Sequence, residues 1–218
     1  MIIAIDGPAA SGKGTLGRKI AATLGLPHLD TGLLYRAVAA RCVADGTLDD
    51  EMASAEAART LDLRTLDAET LRTGALGEAA SVVAARPVVR GALLELQRRF
   101  ADQPGGAVLD GRDIGTVICP NAPVKLFVTA SADVRATRRH RELLERASEV
   151  AFEDVLADIR KRDERDSHRA AAPLVMAQDA VLLDTTHLGI DEVLAAALKI
   201  IAAKTAAAGA GADPSQHG

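Results

Sequence analysis

The residues whose types could do chemistry lie in four short stretches. The first is GPAASGKGT, residues 7–15, directly after the apolar run MIIAID. Its spacing is one residue away from the G-x-x-x-x-G-K-[ST] pattern, in which backbone N–H groups of a glycine-rich turn and a helix N-terminus converge on phosphate oxygens. Gly7, Pro8, Ala9, Ala10, Ser11, Gly12, Lys13, Gly14 and Thr15 would cradle a triphosphate, with Lys13 reaching its terminal phosphates as a mobile charge. Gly14 stands where a hydroxyl is expected, and Thr15 follows one place late. A Mg²⁺ ion, which readily keeps several waters, would then be held by the nucleotide and water with Thr15 nearby, and no protein metal ligand is expected.

The other stretches carry arginines. LDTGLLYR puts Thr31 at a helix N-cap and Tyr35 and Arg36 one turn on. VLDGRDIGTV places Asp110, Arg112 and Asp113 at the end of a buried strand. RKRDERDSHR, read as a helix, puts Arg162, Arg165, Asp166 and Arg169 within an arc of about 100°. Each has a plain alternative: a surface residue, a turn, or a solvated face laced with ion pairs. Together they suit phosphoryl transfer, which is mostly positioning plus neutralisation of charge by planar, always-charged donors. A hydroxyl acceptor would profit from a general base, whereas a phosphate monoester, with its second pKa near about 6, is already a nucleophile at neutral pH. His28, His140, His168 and His187 show no pairing pattern, so the acceptor is expected to be a nucleoside monophosphate.

These residues must be positioned by an alternation of short apolar runs and helical patterns. Candidate strands are 2–6, 28–30, 107–110, 124–129 and 180–184, and LDLRTLD is a further strand-like piece. The alternation predicts an α/β fold of the P-loop NTPase type: a five-stranded parallel sheet with helices on both faces and ligands beyond the carboxyl ends of its strands. Asp6, Asp30, Asp110 and Asp184 fall at such ends, and the glycine at 25 should stop the first helix. Core segments are 1–44, 86–137 and 170–204. Residues 45–85 read as a short acceptor-side insertion and 138–169 as an arginine-rich lid. The tail 205–218 has too little apolar content to fold.

Composition narrows the class. The formal charge is −4, aromatic residues make up 2% and Trp is absent, which argues against single-strand nucleic-acid binding on stacked bases. Cys42 and Cys119 lack metal or redox spacing and fit buried thiols in a reducing compartment. The first apolar run stops at Asp6 without a basic leader, and no stretch approaches a membrane span. A cytoplasmic protein is expected, with neither nucleic acid nor membrane as partner.

The GKGT variant is similar to the loop of nucleoside monophosphate kinases, in which the Thr contacts the donor α-phosphate region. With AASVVAARPVVRGALLELQRRF, LDGRDIGTVICPNAPVKLFVTAS and IRKRDERDSHRAAAPLV, the chain from 2 to about 203 resembles the bacterial cytidylate kinases. That resemblance implies transfer of the ATP γ-phosphoryl group to CMP or dCMP with Mg²⁺; a monomer is the expected state. It also implies that Arg36, Arg90, Arg112 and Arg169 surround the acceptor phosphate, Arg169 arriving on closure. Ser81 and Asp113 would read cytosine, Arg162 and Asp166 would meet the acceptor sugar, and Arg138 would lie against the donor adenine. Lys13, Arg112, Arg165 and Arg169 are the expected catalytic set. Family members have a longer insertion with a small antiparallel sheet before AAS; here it is truncated, with Ser81 and Arg90 still in register. The rival readings are a monophosphate kinase selective for UMP or AMP, and a non-catalytic nucleotide-sensing or RNA-binding module.

Overall fold

The computed structural model describes residues 1–145 and 149–210. Strands β1 (Ile2–Asp6), β2 (His28–Asp30), β3 (Ala107–Gly111), β4 (Val124–Thr129) and β5 (Val181–Asp184) form one sheet in the order β2-β3-β1-β4-β5. All four pairings are parallel. Such strands are buried on both faces, which is why they read as continuous apolar runs. Alternate residues feed opposite cores. Ala4, Leu29 and Leu109 face one, while Ile3, Ile5, Val108, Val124 and Leu126 face the other.

The helices are α1 (Lys13–Leu24), α2 (Thr31–Ala44), α3 (Glu51–Arg59), α4 (Ala68–Leu71), α5 (Gly74–Val83), α6 (Pro87–Ala101), α7 (Ala132–Glu145), α8 (Phe152–His168) and α9 (Ile190–Ala210). On one face α1 and α9 cover the sheet through Leu16, Ile20, Val193, Ala197 and Ile201. On the other, α2, α3, α5 and α6 pack through Leu34, Val38, Ala58, Ala80, Val83 and Leu93. Much of that face is alanine, so the acceptor-side stretch is pressed onto the core by close approach of small side chains rather than by bulky aromatics. Helices α7 and α8 share a small core of their own, Ala136, Val155 and Ile159, with Ala10 of the phosphate loop packed against it.

The sheet and the stop at Gly25, whose φ is 65°, are as expected. Three details differ. LDLRTLD is not a strand: Leu63–Thr65 is a 3₁₀ turn and α4 follows. Asp62 accepts from the Arg64 N–H and Asp67 from the Glu69 N–H, and aspartates placed so start helical turns rather than ladders. Thr31 is not an N-cap; Asp30 holds that place. The expectation of an unfolded tail fails at its start, since α9 runs to Ala210; residues 211–218 lie outside the described residues. Among the described residues no helix is long and apolar enough to cross a membrane.

Candidate active site

The register aligns Asp30 with Asp110, Asp6 with Gly111 and Thr129 with Asp184, so carboxylates line one edge of the sheet. Between β1 and α1 the loop turns sharply. Gly7 has φ +154°, and a Cβ there would stand 2.0 Å from the Val128 carbonyl oxygen. Only glycine lets the loop run this close to β4. Gly12, the residue before α1, is left-handed and caps it without a side-chain hydrogen bond. The first-turn N–H groups and their dipole are therefore left for an anion. The Ser11 hydroxyl is buried without a partner. Lys13 is buried with its Nζ donating to the Pro8 carbonyl at 3.0 Å. Burial, then the charge of Arg112, presses its pKa down to about 7.

Asp6 holds the DGRDIG turn to β1. Its two carboxylate oxygens accept from the N–H groups of Ile114 and Gly115, each at 2.7 Å. Burial pushes its pKa up to about 6 against those two hydrogen bonds. The turn continues as one π-helical turn, Ile114–Ile118. Just before this wide turn, of a kind common at functional sites, Arg112 reaches Asp166 of α8 and Asp113 reaches Arg90 of α6. The Thr31 hydroxyl donates to the Asp110 carbonyl at 2.8 Å and ties the start of α2 to β3.

There the predicted acceptor residues converge. Thr31, Ser81, Arg90, Arg112, Asp113, Arg162, Asp166 and Arg169 line one pocket together with Gly32, Tyr35, Ala80, Ala84 and Gly111. Its cavity is only ≈ 50 Å³, well below the roughly 300–1,000 Å³ of pockets that enclose a ligand of nucleotide size. The arginines close on carboxylates: Arg112 Nε donates to Asp166 Oδ2 at 2.7 Å, and Arg90 pairs with Asp113. Arg169 Nη2 lies 3.8 Å from Asp113 Oδ1. Arg90 also stacks over the Tyr35 ring, 5.5 Å from its centroid. Burial works against the charge on Asp166, but the charge and hydrogen bond of Arg112 hold its carboxyl below the usual range. Arg162 Nε, Arg169 Nη2 and Ser81 Oγ are buried without hydrogen-bond partners. Burial followed by the charge of Arg112 lowers the Arg162 pKa to about 10. A pocket with unpaired donors and crowded cations is electrostatically incomplete without an anion.

Three predicted residues stand elsewhere. Arg36 Nη1 donates to the carbonyls of Leu71 and Thr73 at 3.0 and 2.8 Å. Arg165 Nη2 bonds Glu78 Oε1 at 2.6 Å, joining α8 to α5 outside the pocket lining. Arg138 sits beneath the phosphate loop, bonded to the Thr185 carbonyl at 2.7 Å, with Nη1 3.9 Å from where a Cβ on Gly12 would be.

Residues not foreseen do much of the supporting. Arg135 is buried and grips Asp163 through both oxygens, 2.9 and 2.6 Å, while donating to the Ala9 carbonyl. It thereby fastens α8 to the phosphate loop. His28 Nε2 and Asp110 Oδ2 are 2.8 Å apart, and a Cβ on Gly17 would meet that imidazole nitrogen at 2.7 Å. A larger cavity of ≈ 360 Å³ lies between α2, α3 and α4, lined by Arg41, Thr60, Asp62, Leu66 and Thr70 among others, and includes none of the predicted site residues.

A family model described as cytidylate kinase matches residues 3–203. The cytidylate kinase of Azorhizobium caulinodans is 75% identical over 201 residues, covering 92% of this chain and 98% of that protein. That of Xanthobacter autotrophicus is 73% identical over 206 residues, covering 94% and 99%. That of Brucella suis biovar 1 is 56% identical over 201 residues, with 92% of each covered. Among solved structures, a gluconokinase from Sinorhizobium meliloti 1021 aligns with a TM-score of 0.54 at 17% identity over 97% of each chain, a likeness of fold alone.

Proposed function

The chain belongs to the cytidylate kinase family, and from that premise we propose the assignment of each group to the transfer of the ATP γ-phosphoryl group to CMP, with dCMP as a second acceptor. The observation that carries the assignment is the single pocket beyond β3 in which Arg90, Arg112, Arg162 and Arg169 meet Ser81, Asp113 and Asp166. The triphosphate lies on the N-terminus of α1, with Lys13 against its terminal phosphates and Arg138 towards its base. CMP enters from the α5–α8 side, which requires the pocket to open, since its cavity of ≈ 50 Å³ is far smaller than a nucleotide pocket.

The CMP phosphate replaces carboxylates as the partner of Arg90 and Arg112. Its dianion needs no general base. An acceptor oxygen attacks the γ-phosphorus in line, forming the new P–O bond as the bond to the β–γ bridging oxygen breaks; ADP and CDP result. Lys13, Arg112 and Arg169 spread over the oxygens on which charge builds, in a site closed to water. The Asp113 carboxylate accepts from the exocyclic amine of cytosine, which uracil lacks, and Ser81 supplies the second polar contact to the base. Arg162 and Asp166 are left for the ribose.

The site also fits Mg²⁺. Oxygens of Asp110 and Asp30 lie 3.8 and 3.9 Å from where a Cβ on Gly14 would stand, two hard donors at the mouth of the loop suited to an ion that keeps its waters. When bound, the ion screens the phosphate charge; Asp30 and Asp110 would hold it through water. A monomer in the cytoplasm is the expected working state. The test is ADP formation from Mg-ATP with CMP, dCMP, UMP and AMP in parallel. Turnover confined to CMP and dCMP is expected. Equal turnover of UMP would refute the role given to Asp113, and no turnover by folded, ATP-binding protein would favour a nucleotide sensor.

A further inference from the structure

We infer that Arg72, in the turn between α4 and α5, is a positioning residue that aims Arg36 at the acceptor phosphate by anchoring its own segment to the end of β2. The inference rests on the phosphotransfer reading above and adds Arg36 to it: Arg36 lies outside the pocket lining, but close enough to Arg112 and Arg162 for their charges to act on one another. Arg72 Nη2 donates to Asp30 Oδ2 at 2.6 Å, and both side chains are largely withdrawn from solvent, 31% and 19% exposed. The neighbours of Arg72 on either side, Leu71 and Thr73, present their carbonyls to a single nitrogen, Arg36 Nη1. Two bonds to one nitrogen from residues flanking a tethered side chain fix the plane of the guanidinium. Room for it comes from Gly77, where a Cβ would stand 3.1 Å from Arg36 Nη2. Burial, then the charge of Arg139, followed by those of Arg72 and Arg112 against Asp30, lowers the Arg36 pKa to about 10. Arg36 is thus a cation held among cations, in a pose that an arriving phosphate dianion relieves.

The tether makes the acceptor segment continuous with the edge of the sheet. Losing it should weaken CMP more than ATP. The experiment compares Arg72→Ala, Arg72→Lys and Asp30→Asn with the unaltered protein, using calorimetric CMP binding without ATP or metal, steady-state KM for both substrates, and Tm. For Arg72→Ala a rise of about tenfold in the CMP Kd and KM is expected, as for loss of one charge-assisted anchor. The ATP KM should stay within about twofold, and Arg72→Lys should restore part of the loss, because a lysine offers the charge without the fork. Arg72→Ala combined with Asp30→Asn should bind CMP no more weakly than Arg72→Ala alone, the mark of two residues acting through one contact. An unchanged CMP Kd with a lowered Tm would assign Arg72 to folding alone and overturn the inference. So would equal losses for CMP and ATP in Arg72→Ala, or additive losses of CMP affinity in the double variant. If the unaltered protein binds and turns over no CMP, it is the underlying reading that falls.

Discussion

Asp113→Asn isolates the basis of acceptor choice. Asp113 is buried, pairs with Arg90 and lies 3.8 Å from Arg169 Nη2. A carboxylate can only accept, so it favours the amine of cytosine and repels the carbonyl of uracil. An asparagine offers both an acceptor and a donor, and can turn its amide to suit either base. Hydrogen bonds to a charged group contribute about 1.5–3 kcal/mol, which at about 1.4 kcal/mol per factor of ten corresponds to a change of about 10- to 150-fold. The substitution also leaves Arg90 and Arg169 facing each other with one negative charge fewer, which lowers stability and alters affinity for any monophosphate. Both acceptors carry the same phosphate, so that disturbance cancels in a ratio. The assay is therefore the ratio of kcat/KM for CMP to that for UMP, measured by ADP release beside a thermal melt. A fall of about 10- to 150-fold is expected. If both constants drop together and the ratio holds, Asp113 serves Arg90 and Arg169 only, and base reading must be sought at Ser81 or elsewhere.

Other substitutions and conditions test the remaining assignments. Arg112→Ala should cut kcat by about 10²–10³, as for removal of a transition-state donor, and cost about 3–5 kcal/mol of stability by stranding the buried Asp166 carboxylate, while calorimetric ATP affinity stays near that of the unaltered protein. Lys13 has a pKa near 7 in the free protein, so at pH 8 about 0.9 of it is neutral. A bound triphosphate favours the charged form and raises that pKa, so ATP binding at pH 8 should take up close to one proton, and distinctly less at pH 6. Calorimetry in buffers of different ionisation enthalpy reads this directly, and no pH-dependent uptake would refute it. Gly7→Ala puts a methyl group against the Val128 carbonyl; the loop must move, and ATP affinity should fall by more than about tenfold, with a stability loss of about 1–3 kcal/mol.

The sheet and the phosphate loop were legible because their causes are local. Ile2–Asp6 is apolar throughout since it is covered on both faces, and the glycines mark places where backbone runs against backbone. The arginines could be gathered from the ends of separate strands, but their partners could not. Nothing in LDTGLLYR says that the Thr31 hydroxyl reaches across to the Asp110 carbonyl instead of capping α2. That choice depends on β3, some 79 residues on. Arg36 was assigned to phosphate, yet its first partners are carbonyls of a segment that carried no apparent function. In LDLRTLD the alternation of Leu with polar residues suggested a strand. Asp62 and Asp67 each precede a turn whose N–H they accept, a signal present in the sequence but outweighed in reading by periodicity. Arg165 was grouped with Arg162 and Asp166 by helical spacing alone. It turns instead to Glu78, whose position opposite α8 only the packing of α5 decides.

The chain contains one tyrosine and no tryptophan. That tyrosine, Tyr35, lies in the acceptor pocket beneath the Arg90 guanidinium. Excited beyond the absorption of its three phenylalanines, the protein therefore emits from a single ring, which under the proposed assignment lies beside the acceptor. On that assignment, withdrawal of Arg90 from the ring towards a phosphate would change the charge above that chromophore. The protein would thus carry an intrinsic optical reporter of its own occupancy, free of background from any other indole or phenol, and suited to stopped-flow observation without a label.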